Sequence, residues 1–273
     1  MRGGAVTVTP SSVPALPTAE PLMPDVRWSR LSAASLEQLA RNDAIVLLPV
    51  GATEQHGPHL ATGTDTFLCD EACIRTARLV QKVRPIVVAP AVWVGLSEHH
   101  MAFGGTFTVS LATWHSILRD LCLSVLRCGF RRIMIVNGHA GNMTALNVLT
   151  TELTLETQAA IASTSYFVFG MAKVRDILED QADLQHACEY ETSAMMAIHP
   201  DLVDHRRLSD AVGPNMSRAS ALARPVHVWQ SFKEMTSSGV FGDARRASAD
   251  KGERLLAAVA EDFSSRLIAG EPW

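Results

Sequence analysis

Arg132-Ile-Met-Ile-Val-Asn-Gly-His-Ala-Gly-Asn142 joins an apolar run of strand type, Arg132 to Val136, directly to a polar turn rich in small residues, and helical spacing resumes from about Met143 to Gln158. A strand that feeds a helix through such a turn is a unit from which parallel sheets are built. Gly138 and Gly141 allow a tight backbone there and leave His139 exposed at the carboxyl end of the strand. The same alternation recurs on either side. Upstream lie a helix over Leu31 to Arg41, a continuous apolar strand over Ala44 to Val50 ended by Gly51, and a helix over Thr66 to Lys82 with Thr64 or Asp65 as its cap. A strand over Pro85 to Val94 follows, and Phe107 to Leu111 is either a further strand or the lead into a helix from Thr113 to Cys128, closed by Gly129. Downstream come a strand over Ala160 to Phe169 and a helix over Met171 to Glu179. A helix carrying Met195, Met196, Ala197 and Ile198, a polar Gly-rich loop and a helix over Asp250 to Ala269 complete the chain. The pattern predicts a mainly parallel sheet covered by helices on both faces, with ligands near the carboxyl ends of the strands.

The chain has 273 residues, 47% of them hydrophobic and 19% charged, which suits one folded α/β domain and excludes disorder of the whole. We place that domain over 26–273, after a flexible arm over 1–25 that carries five prolines and no basic start followed by an apolar block. A formal net charge of −4 provides no broad basic surface for nucleic acid. No apolar run approaches the roughly 20 residues a bilayer requires, so a membrane is not an expected partner either. Cys69, Cys73, Cys122, Cys128 and Cys188 are odd in number and lack a C-x-x-C spacing, which fits neither a disulfide framework nor a thiolate zinc site. The expected compartment is the cytoplasm.

Three polar clusters fall at or near strand ends. In Gly51-Ala-Thr-Glu-Gln-His-Gly-Pro-His59, Glu54 and His56 are two apart and share one side of an extended loop; a return by Asp65 closes a set of mixed N and O metal ligands. The alternative is an acid and imidazoles that merely solvate a surface loop. At Asn137-Gly-His-Ala-Gly-Asn142 the alternative is a turn whose Asn side chains bond their own backbone, with His139 as a satisfied partner. In His186-Ala-Cys-Glu-Tyr-Glu-Thr-Ser193, His186 can supply a proton-transfer group and Glu191 a further anionic ligand, while Thr192 or Ser193 can cap the following helix. Glu189 and Glu191 can equally serve only to complement a helix N-terminus. Gly95-Leu-Ser-Glu-His-His-Met-Ala-Phe-Gly-Gly-Thr106 contains Ser97, His99 and His100 as candidate pocket residues. No G-x-S-x-G elbow, P-loop or G-x-G-x-x-G following a strand is present.

Together the three clusters resemble the creatininase family of metal-dependent amidohydrolases, and Leu48-Pro-Val-Gly-Ala-Thr-Glu-Gln-His-Gly-Pro-His59 is the most specific part of the likeness. The resemblance covers nearly everything from Trp28 onward. It implies a three-layer α/β fold, a dinuclear metal centre and a homo-oligomer, often a hexamer. It further implies that Glu54, Asp65 and His139 hold one ion, that His56, bridging Asp65 and a further Glu hold the other, and that His186 transfers protons. In creatininase itself that further Glu follows the Asn-Gly-His motif by two residues, where this chain has Gly141, and an aromatic expected after the His is Ala140. Glu191 is assigned the vacated role. Cys188 stands where the family usually has Gly.

The implied ions are two divalent metals, zinc with zinc, manganese or iron, since imidazole suits zinc and carboxylates accept the others. Two such ions about 3.5 Å apart can bind one water between them and lower its pKa, leaving a bridging hydroxide beside a polarised carbonyl. The expected activity is hydrolysis of a non-peptide C–N bond in a small-molecule amide, cyclic or formyl, with Ser97 and His100 touching the substrate. A peptidase acting on a short modified peptide is the first rival reading. A non-catalytic assembly protein of the same fold is the second.

Overall fold

Strand β1 (Ile45–Val50) is buried along its whole length, as an uninterrupted apolar run must be at the middle of a parallel sheet. It pairs in parallel with β2 (Ile86–Val88) on one side and with β3 (Arg132–Asn137) on the other, and β3 pairs in parallel with β4 (Ala160–Ser165). The strand order is β2-β1-β3-β4. The computed structural model describes residues 25–181, 183–215, 226 and 228–273. The arm expected over 1–25 therefore lies, up to residue 24, outside the described residues.

Side chains alternate across the sheet because successive Cβ atoms of a strand point to opposite faces. Ile45, Leu47, Met134 and Val136 enter one apolar layer, with Leu68 and Cys69 of α2 (Thr64–Val80), Met195 of α6 (Glu189–Ile198) and Leu255 and Val259 of α8 (Ala249–Ala269). Val46, Leu48, Ile133 and Ile135 enter the other. They pack there with Trp114 and Leu118 of α3 (Leu111–Arg127) and Leu146 and Leu149 of α4 (Met143–Thr157), while Leu36 and Leu39 of α1 (Ala33–Arg41) lie against the edge of that layer. The architecture is thus a single α/β unit with helices on both faces of a parallel sheet. No helix among the described residues is long and apolar enough to cross a membrane.

Several boundaries differ from the sequence expectation for identifiable reasons. The strand expected over Pro85 to Val94 pairs only over Ile86–Val88. Pro90 lacks the N–H that a continued ladder needs, and Val92 rejoins β1 through one isolated bridge to Val50. Phe107 and Thr108 make single bridges and form no strand; Ser110 then caps α3 by accepting from the Thr113 N–H. The strand after α4 stops at Ser165, where a 3-10 turn over Tyr166–Val168 begins, and α5 (Met171–Ile177) follows, ending two residues before the expected Glu179. Neither Thr64 nor Asp65 caps α2: Gly63 holds the cap position and both residues lie in the first turn. Likewise α6 starts at Glu189 with Cys188 as its cap residue, so Thr192 and Ser193 sit inside the helix.

Candidate metal centre

In the order β2-β1-β3-β4 the chain leaves β1 first toward β2 and later crosses to β3 on the other side, so the switch point lies between β1 and β3. Ligand crevices in open parallel sheets form at such a point, outside the carboxyl ends of the two strands. The loop after β1 carries Glu54 and His56, and the turn after β3 carries His139. Asp65 enters from the first turn of α2 and Glu191 from the first turn of α6. Gly138 makes the junction possible: a Cβ there would lie 2.6 Å from the Asp65 carbonyl oxygen, so only glycine lets the β3 turn press against α2.

The convergence produces two buried donor sets, Glu54–Asp65–His139 and His56–Asp65–Glu191, in each of which the donor atoms lie within 4.8 Å of one another. Asp65 belongs to both. Its Oδ2 is 3.1 Å from His139 Nδ1, and its Oδ1 is 3.2 Å from His56 Nε2. Glu54 Oε2 stands 3.2 Å from His139 Nδ1, and Glu191 Oε2 stands 3.9 Å from His56 Nε2. Glu191 also accepts from the Ala187 N–H, which turns its carboxylate back from the helix toward His56.

The residues fit a pair of divalent cations on two grounds. Glu54 Oε2, His56 Nε2 and Asp65 Oδ2 are buried and make no hydrogen bond although opposite groups lie 3.1–3.2 Å away. Buried polar atoms so rarely go unpaired that an ion is the natural partner. The second ground is charge. Burial disfavours a proton on His56, yet the carboxylates of Asp65, Glu191 and Glu54 outweigh it and lift that imidazole to about 10. Burial is likewise overcome at His139, which Glu54 and Asp65 hold well above the usual imidazole value. Burial pushes Glu191 up to about 8 against the opposing pull of His56. Glu54 and Asp65 therefore draw positive charge onto two histidines while Glu191 itself resists ionising, and metal cations supply the missing compensation while using the same lone pairs.

Around this centre lies a cavity of about 230 Å³, lined by His99, His100, His186 and the apolar side chains Phe167, Leu184, Phe232, Met235 and Phe241. His186 Nε2 donates to the Gln55 main-chain oxygen at 2.8 Å, so its Nδ1 faces the site, 3.7 Å from Glu54 Oε1. Burial, with the neighbouring His56 and His100, keeps His186 well below the usual imidazole range and hence neutral. Ser97 is fully buried and lies behind the centre, with Oγ 3.4 Å from His139 Nε2; it does not line the cavity. His100 lines it, although both ring nitrogens are engaged, one with Gln55 and one with Glu54. At Gly141 a Cβ would sit 2.4 Å from His139 Nε2 and 2.6 Å from the Leu96 oxygen, so a Glu at this position has no room.

Glu189 is elsewhere. Its buried carboxylate accepts from the Glu179 and Asp180 N–H groups and pairs with Lys251 at 2.5 Å. Lys251→Ala leaves that charge buried without its cation, and a loss of about 3 kcal/mol in folding stability is expected. Denaturant titration alongside metal analysis checks this, because the metal content should not change.

Sequence reasoning passed over Gln55, His59 and Phe232. Gln55 carries no titratable group, although its place between Glu54 and His56 was a signal. His59 closes the same motif and bonds Thr192 Oγ1 at 2.7 Å from Nε2. Phe232 belongs to the short helix α7 (Phe232–Met235) and packs 3.9 Å from the His100 ring and 5.0 Å from the His186 ring, centroid to centroid. A lone aromatic in a polar loop is a weak mark.

Residues 29–267 match the family described as creatininase, creatinine amidohydrolase. The mycofactocin precursor peptide peptidase of Mycolicibacterium smegmatis is 32% identical over 249 residues, covering 89% of this chain and 92% of its own. The creatinine amidohydrolase of Pseudomonas putida is 27% identical over 249 residues, with 85% and 90% covered. A solved structure of manganese creatininase superimposes with a TM-score of 0.75 at 26% identity, covering 92% of this chain and all of the other.

Proposed function

The chain belongs to the creatininase family of hydrolases, and from that premise we propose that it hydrolyses an unactivated, non-peptide amide C–N bond in a small molecule, cyclic or formyl, using two divalent metal ions. The carrying observation is the shared carboxylate of Asp65, which joins two buried donor sets on the floor of a cavity of about 230 Å³. Glu54, Asp65 and His139 would hold one ion, and His56, Asp65 and Glu191 the other, with zinc, manganese or iron the metals that suit such donors. Ions so held supply a Lewis acid for the scissile carbonyl and acidify a water toward neutral pH.

The remaining work falls to the chain. Phe167, Leu184, Phe232, Met235 and Phe241 exclude water and accept an apolar substrate body; none of them offers a charged anchor. His186 holds a lone pair on Nδ1 toward the site, takes up a proton there and returns it to the departing nitrogen, which must leave as an amine. His186→Ala should retain both ions and lower kcat roughly 10²-fold, the usual loss for a missing general acid. Turnover measured beside metal content separates that result from a loss of ligand.

One observation favours a second reading, cleavage of a short peptide: the 32% identity to a peptide peptidase. A panel of cyclic amides, formamides and short peptides offered to the zinc- or manganese-loaded protein decides between them. Chelator-sensitive turnover of the small amides is the expected result. Cleavage of peptides alone would establish the second reading, and silence across the panel with both ions bound would point to assembly without catalysis. We extend the proposal to a homo-oligomer, supported by Trp93 and Phe107, which pack edge to face at 5.6 Å while both are more than half exposed.

A further inference from the structure

Gln55 is buried at the centre of the imidazole cluster. Its Oε1 accepts from the Gly57 N–H at 2.9 Å, and its Nε2 donates to the Gly239 carbonyl at 3.1 Å. A backbone N–H can only donate and a carbonyl can only accept, so these two contacts allow the amide one orientation. The Nε2 group also lies 2.9 Å from His100 Nδ1 and 3.1 Å from His186 Nε2. The latter nitrogen already donates its proton to the Gln55 main-chain oxygen and has no lone pair to offer. The two amide hydrogens therefore go to Gly239 and to His100 Nδ1.

His100 must then present a lone pair at Nδ1 and carry its proton on Nε2, which lies 3.2 Å from Glu54 Oε1. That bond occupies one oxygen of Glu54 and leaves Oε2, the buried oxygen without a hydrogen bond, facing His139 and Asp65. We propose that Gln55 is a positioning residue that fixes the tautomer of His100 and, through it, presents a single oxygen of Glu54 to the metal centre. The inference rests on the metal-centre reading only in taking Glu54 as a donor. Carboxylates that orient a metal ligand are the commoner outer partners; here an amide acts through an imidazole on a carboxylate.

Nitrogen-15 spectra of histidine-labelled, zinc-loaded protein, with His100 assigned by its loss in His100→Asn, read the tautomer directly. The expected wild-type signals are a protonated Nε2 and an unprotonated Nδ1; a proton on Nδ1 would overturn the proposal, and this readout needs no Gln55 variant to fold. In Gln55→Glu a carboxylate faces Nδ1 and the proton should move there. In Gln55→Ala, competition with a zinc chelator should show one of two ions bound about 10- to 100-fold more weakly, the usual cost of losing an outer partner. Two ions bound as in the wild type would contradict the inference. Wild-type protein with the expected tautomer and both ions but no amide turnover would overturn the proposed function alone.

Discussion

Asp65→Ala is expected to release both metal ions and to reduce turnover by about 10³-fold or more, given the several kcal/mol that Lewis-acid stabilisation contributes and 1.36 kcal/mol per tenfold in rate. Asp65 is the one side chain common to the two donor sets, with one carboxylate oxygen toward His139 and the other toward His56. No neighbouring carboxylate can replace it: Glu54 is held by His100 and Glu191 by the Ala187 N–H. The fold should survive the change, because Asp65 caps nothing and the first turn of α2 is held by Thr64 Oγ1 on the Ala61 oxygen. Elemental analysis and circular dichroism on the same preparation check the result, and a variant that keeps one ion would show that the bridging role is misplaced.

Glu191→Gln should remove one ion per chain and nearly all turnover. A neutral amide is a weak donor to a divalent cation, and its N–H₂ group offers no lone pair to one. Glu189→Gln is the matched control, two residues away on the same helix. Its carboxylate points to Lys251 and to the backbone of 179–180, so both ions should remain while stability falls. The reverse pattern, with Glu189→Gln losing the ion, would place the ligand two residues earlier and contradict the direction in which α6 presents its first turn.

The elements legible in the sequence were those whose pattern answers to one force. β1 and β3 read as strands because continuous apolar runs between turns have no other comfortable place. Their carboxyl-end loops could then be put together before any contact was known, and the first donor pair, Glu54 and His56, follows from the two-residue period of extended backbone. Asp65 carries two sequence signals, a polar side chain at a helix start that can serve as an alternative cap to Thr64 and a carboxylate that can close the donor set after Glu54 and His56; Gly63 takes the cap position and the carboxylate turns into the site. β2 is shorter than its apolar pattern, because Val92 and Val94 continue that pattern past Pro90, where the ladder breaks and only an isolated bridge from Val92 to Val50 remains. Glu189 and Glu191 could not be told apart on local grounds, since the partner that claims Glu189 is Lys251, 62 residues away. Ser97 looked like a pocket residue for its neighbours' sake, and tertiary packing turns it behind His139.

The central claim is that the donors around Asp65 hold two ions at once. Titration of chelator-treated protein with zinc or manganese, followed by elemental analysis after removal of free metal, tests it most directly. Two ions bound per chain in wild type, falling to one in Glu191→Gln and none in Asp65→Ala, is the predicted result. A wild-type chain that binds no metal after reconstitution, or saturates at one ion that survives Asp65→Ala, would contradict the account.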